Sequence, residues 1–225
     1  MKRRSFIAAA TLSATGLSVP HKAAAQAAAQ KPDGKRDIPR YPQDAWLDQL
    51  PGAHRLFLDA TDAEGAAGAL GYAWNFMRTS ISGYKLRDDD QAVVICLRHS
   101  ATEFIFSNEL WVKYDVLRNE KYKHPETEKT VKGGNVFRPG STKPKSMEGG
   151  FNWDDMAGRG VHFAICGAAT RGLAGEIAGA KADREAVQKV VDELMASAPA
   201  NTHFMASGIL AAQRAGEYAY TVIKA

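Results

Sequence analysis

The chain has 225 residues, two cysteines, a formal net charge of +4 and an apolar fraction of 45%, which is ordinary for a globular protein. That length holds one domain, or one domain with an extension, and enough interior to need no staples. Two cysteines exclude a disulfide framework and a four-cysteine zinc site, and no apolar run of about 18 residues follows the N-terminal segment, so no membrane span is expected in the mature chain. The positive charge is local. Residues 1–30 carry Lys2, Arg3, Arg4 and Lys22 and no acid, which leaves 25 basic against 25 acidic side chains beyond them. Bulk charge therefore gives no case for nucleic acid, which needs a surplus of Lys and Arg on one face.

The chain starts Lys2-Arg3-Arg4-Ser5-Phe6-Ile7, runs through a mildly apolar stretch from Phe6 to Val19, and reaches the small residues Ala23-Ala24-Ala25. This is the plan of a secretory signal, and the adjacent arginines with Phe6 resemble a twin-arginine export signal. A Sec signal or an anchored start is the competing reading. Cleavage after Ala25 or Ala29 fits the small-x-small rule, so residues 1–30 are expected to be a signal peptide and the periplasm its destination. Thiols there tend to oxidise.

Residues 31–50 are polar, with Pro32, Pro39 and Pro42 at the start, and read as a linker, with a short helix over Asp44–Leu50. The ordered domain is expected over 51–225. His54–Ala60 is a compact apolar run and reads as the first strand. Thr61 and Glu64 then have capping-box spacing, opening a helix that places Ala66, Leu70, Ala73, Trp74, Met77 and Ile81 on one face. Ala92–His99 is a second strand whose unbroken apolar run suits a parallel strand buried on both faces. A helix over Glu103–Leu117 follows, with Phe104, Trp111, Tyr114 and Leu117 as packing residues. Residues 119–150 hold Lys, Glu, Gly and Pro and few apolar side chains. So long a structureless stretch reads as a functional loop or an interaction arm.

Beyond it, Trp153–Arg159 reads as a short helix and Val161–Cys166 as a third strand. Helices follow over Ala168–Ala180 and Asp183–Ala196, the second with Val187, Val190, Val191 and Leu194 inward. Thr202–Ser207 is a fourth strand, Gly208–Ala215 a helix closed by Gly216, and Tyr218–Ile223 a fifth strand. Alternation of strand and helix predicts an α/β fold, a three-layer α/β/α sandwich with a mainly parallel sheet of about five strands. No glycine-rich phosphate cradle follows the first strand, so no nucleotide cofactor is indicated.

Ligands of open α/β sheets sit beyond the carboxyl ends of the strands. Asp59, Arg98, His99 and Cys166 end the first three strands, and Gly167 follows. A thiol at a strand-to-helix turn lies near backbone N–H groups and the positive helix end, which favours the thiolate. The other reading of Cys166 is a small buried hydrophobe. His99 is placed to move a proton or to bond backbone. Arg98 is placed to hold an anion or a carboxylate. Asp59 orients His99 or, more simply, caps the next helix. Cys96, inside the apolar run, reads as core; its pairing with Cys166 is disfavoured by strand geometry. His54, His162 and His203 show no ligand spacing, and no metal is expected.

The segments VHFAICGAATRGL and GILAAQRAGEYAYTVI resemble the strand–Cys–helix segment and the C-terminal ending of DsrE/DsrF-like proteins, the sulfur-relay family. CLRHSATEFIFSNELWVKYDV resembles an exported, mostly uncharacterised subgroup carrying Arg-His, then Asn, then Trp-x-Lys-Tyr. The resemblance covers roughly 54–225, with 119–150 poorly matched. It implies an α/β/α sandwich, a homo-oligomer, a persulfide-carrying cysteine at Cys166, a sulfur donor or acceptor protein as partner, and Asn108 beside Arg98, Asp59 and Gly167 as a binding residue. The alternatives are a non-catalytic binder of a small ligand or anion, with 119–150 as its lid, and an oligomeric scaffold without chemistry.

Overall fold

The computed structural model describes residues 38–115, 134–138 and 152–225. The signal peptide expected over 1–30 and the start of the linker lie outside the described residues. So does most of 119–150.

Five strands form one all-parallel sheet in the order β4-β3-β2-β1-β5. They are β1 (His54–Ala60), β2 (Gln91–Leu97), β3 (His162–Cys166), β4 (Thr202–Met205) and β5 (Thr221–Lys224). β2 is buried at every residue, as a central strand covered on both faces must be. Period-2 alternation sorts its side chains. Val93, Ile95 and Leu97 join Leu56, Leu58, Phe163 and Ile165 on one face; Val94 and Cys96 join Phe57, Ala164 and Met205 on the other.

The first face is covered by α2 (Ala63–Tyr84), α3 (Asn108–Tyr114), α4 (Trp153–Gly158) and α5 (Gly167–Ala178), with α6 (Arg184–Ala196) packed on α5. α7 (Gly208–Glu217) covers the second face together with the arm that carries α1 (Trp46–Gln49). The split follows from connection handedness. The chain steps from β1 to β4 in one direction and then returns past β1 to β5. Right-handed crossovers put the returning helix on the opposite face. The layers are those expected of an α/β/α sandwich.

Four expectations need correction. Residues 39–50 are not a free linker. Leu47 and Leu50 are buried in the second core, and the buried carboxylate of Asp44 accepts from Arg214 Nε at 2.8 Å. The Leu47 carbonyl accepts from Arg55 Nη1 at 2.6 Å and from Tyr220 Oη at 2.9 Å. The domain thus begins at Pro39. Helix α2 is capped not by Thr61 but by Asp62, whose side chain accepts from Gly65 N at 2.8 Å. The helix expected over Glu103–Leu117 is a 3₁₀ turn (His99–Ile105) followed by the shorter α3. Within the expected loop, residues 134–138 enter the core rather than lie over it as a lid. Phe137 stacks on Trp153 at 5.1 Å, and Asn135 Nδ2 donates to the carbonyls of Phe104 and Phe106, each at 2.7 Å.

Candidate functional site

The chain leaves β3 into α5 toward one face and leaves β4 into α7 toward the other. The crevice between the carboxyl ends of β3 and β4 is therefore the topological switch point, where open α/β sheets bind ligands. Cys166, the last residue of β3, stands there opposite Met205, the last residue of β4.

Cys166 is also the N-cap of α5. Its Sγ accepts from the Ala169 backbone N–H at 3.4 Å, and its carbonyl accepts from Thr170 Oγ1 at 3.1 Å. A sulfur in that position faces the unpaired donors and positive end of a 12-residue helix. The residue is buried, with 8% of its surface exposed. Gly167 follows because no larger residue fits. A Cβ there would lie 2.7 Å from the Met205 carbonyl oxygen. Arg171, one turn further along α5 and exposed, brings Nη1 to 3.4 Å of the same point.

Asp59 and Arg98 meet: Arg98 takes the second of its two expected roles, holding a carboxylate, while Asp59 takes neither of its own. Arg98 Nε and Nη2 donate to the two Asp59 carboxylate oxygens at 2.7 and 2.9 Å. This bidentate fork is held between side chains that are 16% and 10% exposed. The Asp59 hydrogen bonds raise the Arg98 guanidinium above its ordinary pKa against the opposing effect of burial, and the Asp59 charge adds to them. Asp59 thus neither caps α2 nor orients His99. Arg98 is already matched to a carboxylate, so it supplies no unpaired charge for an incoming anion. Its stem packs on the start of α7, where a Cβ on Gly208 would lie 2.4 Å from Arg98 Cβ.

His99 stands next to this pair with a left-handed backbone, φ 51°, and an exposed side chain. Among the described residues no hydrogen bond joins its imidazole to Cys166. Asn108 holds structure: its Oδ1 accepts from Asn135 N at 2.8 Å, and a Cβ on Gly134 would lie 2.1 Å from that oxygen. It ties down the 134–138 insertion instead of facing the thiol. Cys96 is fully buried, with Sγ 3.7 Å from the Gly208 carbonyl, and burial pushes its thiol far above the ordinary value.

Sequence reasoning missed Arg171 and Gly208. Arg171 carries a visible signal, lying five residues after Cys166 on the same helix. Gly208 carries none, because its neighbour Arg98 is remote in sequence. Reasoning by spacing also left His162 and His203 unrelated, although the sheet places them 2.9 Å apart on neighbouring strands.

No family model, curated protein or solved structure matches this chain.

Proposed function

We propose that this is an exported thiol protein of the DsrE/DsrF-like kind that takes up sulfane sulfur on Cys166. The observation that carries the reading is the position of that sulfur, which caps α5 at the switch point between β3 and β4. An N-terminal helix dipole stabilises a thiolate, and equally a persulfide anion. With thiosulfate as donor, the Cys166 thiol gives its proton to solvent or to His99. The thiolate then attacks the sulfane sulfur, a new S–S bond forms, and the bond to the sulfonate breaks. Sulfite leaves with the electron pair and Cys166 becomes a persulfide. Arg171 is the cation placed to meet the anionic donor. A second protein would receive the sulfur. Exposed Ile209 and Leu210 on α7, with Val222 and Ile223 on the edge strand β5, support a homo-oligomer or a partner contact.

A second reading is favoured by the Asp59–Arg98 fork and the narrow exposure of Cys166: a binder of a small ligand or anion, or an oligomeric scaffold, in which the thiol is spectator. Intact and peptide mass spectrometry after exposure to thiosulfate or polysulfide tests the two. A gain of one sulfur on Cys166, reversed by reductant and absent from Cys166→Ser, is the outcome expected of a carrier. A free Cys166 that gains nothing would overturn it.

A further inference from the structure

At the amino end of the sheet, opposite Cys166, His162 on β3 and His203 on β4 lie on the face that α7 and the arm cover. His203 pairs in register with Ala164, so the two histidines are diagonal neighbours. His162 Nδ1 and His203 Nε2 are 2.9 Å apart, and the rings are nearly coplanar at 12°. This is an edge-to-edge imidazole–imidazole hydrogen bond, with one ring donating and the other accepting. Trp46 of α1 lies flat on His203, ring centroids 3.8 Å apart and 4° from parallel. The Trp46 indole N–H is buried and has no hydrogen-bond partner among the described residues. Stacking on the imidazole, and not a polar anchor, therefore sets where the indole sits.

Proton counting then constrains the contact. The neutral pair shares one inward N–H and has one bare nitrogen facing outward. A first proton added to the outward nitrogen of the donating ring leaves the shared bond in place and makes it charge-assisted. A second proton has only the accepting nitrogen to go to, and it destroys the bond while setting two cations side by side. We propose that the His162–His203 pair is an acid-released latch for the Trp46 arm, closed with no proton or one and opened by the second.

Among the described residues no carboxylate faces the pair to relieve the second charge, and the Trp46 ring face returns only a cation–π attraction to one of the two cations. Opposite His162, β2 places Val94. The arm's acids are engaged elsewhere: Asp44 with Arg214 of α7, and Asp48 near Arg40. On α7, Glu217 is paired with the same Arg214. Consistent with this, burial and then the charge of His162 lower His203 to about 4, and burial lowers His162. The sign follows. An unfolded imidazole takes its proton at about pH 6.5. Between that value and the folded one the unfolded chain binds more protons, so the latch is fully effective above the unfolded pKa and is lost as pH falls toward about 4.

The test uses ¹⁹F NMR of the full chain labelled with 5-fluorotryptophan, titrated from pH 7.5 to 3.5, with Trp46→Phe to assign the Trp46 signal. Trp153, fully buried, reports global unfolding. The expected result is a Trp46 shift with its midpoint near pH 4 while the Trp153 signal stays native. His203→Phe keeps a ring for the indole to stack on and removes the titration, and His162→Gln removes the second charge; in both the transition should vanish. A Trp46 shift that coincides with that of Trp153, that persists in both variants and so belongs to Asp44, or that never comes down to pH 3.5 would overturn the latch.

Discussion

The Met205 carbonyl oxygen stands 2.7 Å from the place a Cβ on Gly167 would occupy, so β4 and the first turn of α5 meet backbone to backbone at the residue that follows Cys166. Gly167→Ala must push these two segments apart. Alanine is the better helix former, which returns about 1 kcal/mol, but overpacking against a fixed carbonyl costs about 1–3 kcal/mol. A net loss of stability is expected in urea unfolding, with a lower midpoint at unchanged slope. An alanine variant as stable as the parent would show that the approach is looser than described.

The Asp59–Arg98 fork is mostly buried, and breaking one side leaves a charge without a partner. Asp59→Asn is expected to lose about 3 kcal/mol. The double variant Asp59→Leu with Arg98→Met, which removes both charges, should recover most of it, because a buried ion pair gains little over a well-packed apolar pair. Asp59→Asn also frees the guanidinium. Alkylation of Cys166 by anionic iodoacetate should then speed up relative to neutral iodoacetamide. Equal rates would mean that Arg98 does not reach the field at the sulfur.

Much of the sheet was legible because its signals are local. The unbroken run from Ala92 to Leu97 marks a strand with both faces covered, and Val187, Val190, Val191 and Leu194 mark α6 by their spacing. The end of β3 at Cys166 was legible in the same way. What escaped was held by remote partners. The arm 39–50 looks like a linker until Arg214, 170 residues away, closes on Asp44. The 3₁₀ turn at His99–Ile105 hides behind helix-compatible residues, and His99 begins it at positive φ. Asp59 reads as a cap from its local sequence because its partner Arg98 lies 39 residues on.

The cap itself separates the two readings of the α2 start. Asp62→Ala removes the carboxylate that accepts from Gly65 N and is expected to cost about 1 kcal/mol. Thr61→Val should stay within about 0.5 kcal/mol, since the exposed Thr61 hydroxyl donates only to that same carboxylate at 3.2 Å. Thermal or urea unfolding of the two variants decides; the reverse order would restore the Thr61–Glu64 capping box.

Asn135 is buried completely and its amide serves three backbone groups: the carbonyls of Phe104 and Phe106, and the N–H of Phe137, which donates to Asn135 Oδ1 at 3.0 Å. Asn135→Ala removes three hydrogen bonds from the core; the Phe104 carbonyl keeps its bond from Trp153 Nε1 at 2.8 Å, so the cost falls mainly at the Phe106 carbonyl and is about 2 kcal/mol. The loss should appear in equilibrium unfolding. A near-neutral variant would show that the 134–138 insertion contributes little to the fold and would restore the idea of a detachable lid.

The two thiols should behave as different chemical species. Cys96 is shut in beneath α7, with no exposure and a thiol pushed far above the ordinary value, so it has neither thiolate nor access. Cys166 keeps 8% of its surface exposed and stands at the positive end of α5. Iodoacetamide applied to the native protein is expected to modify Cys166 and leave Cys96 untouched until the chain unfolds, as read by peptide mass spectrometry. Nor can the two join. Cys96 is in register with Ala164, which puts Cys166 one strand over and two residues along. That diagonal exceeds the Cα separation of about 7 Å at which a disulfide still closes without moving the backbone. Mild oxidation of the folded protein should therefore give no intramolecular disulfide. A Cys96–Cys166 crosslink formed without loss of the native fold would require β2 and β3 to slip in register, and would recast Cys166 as half of a redox pair.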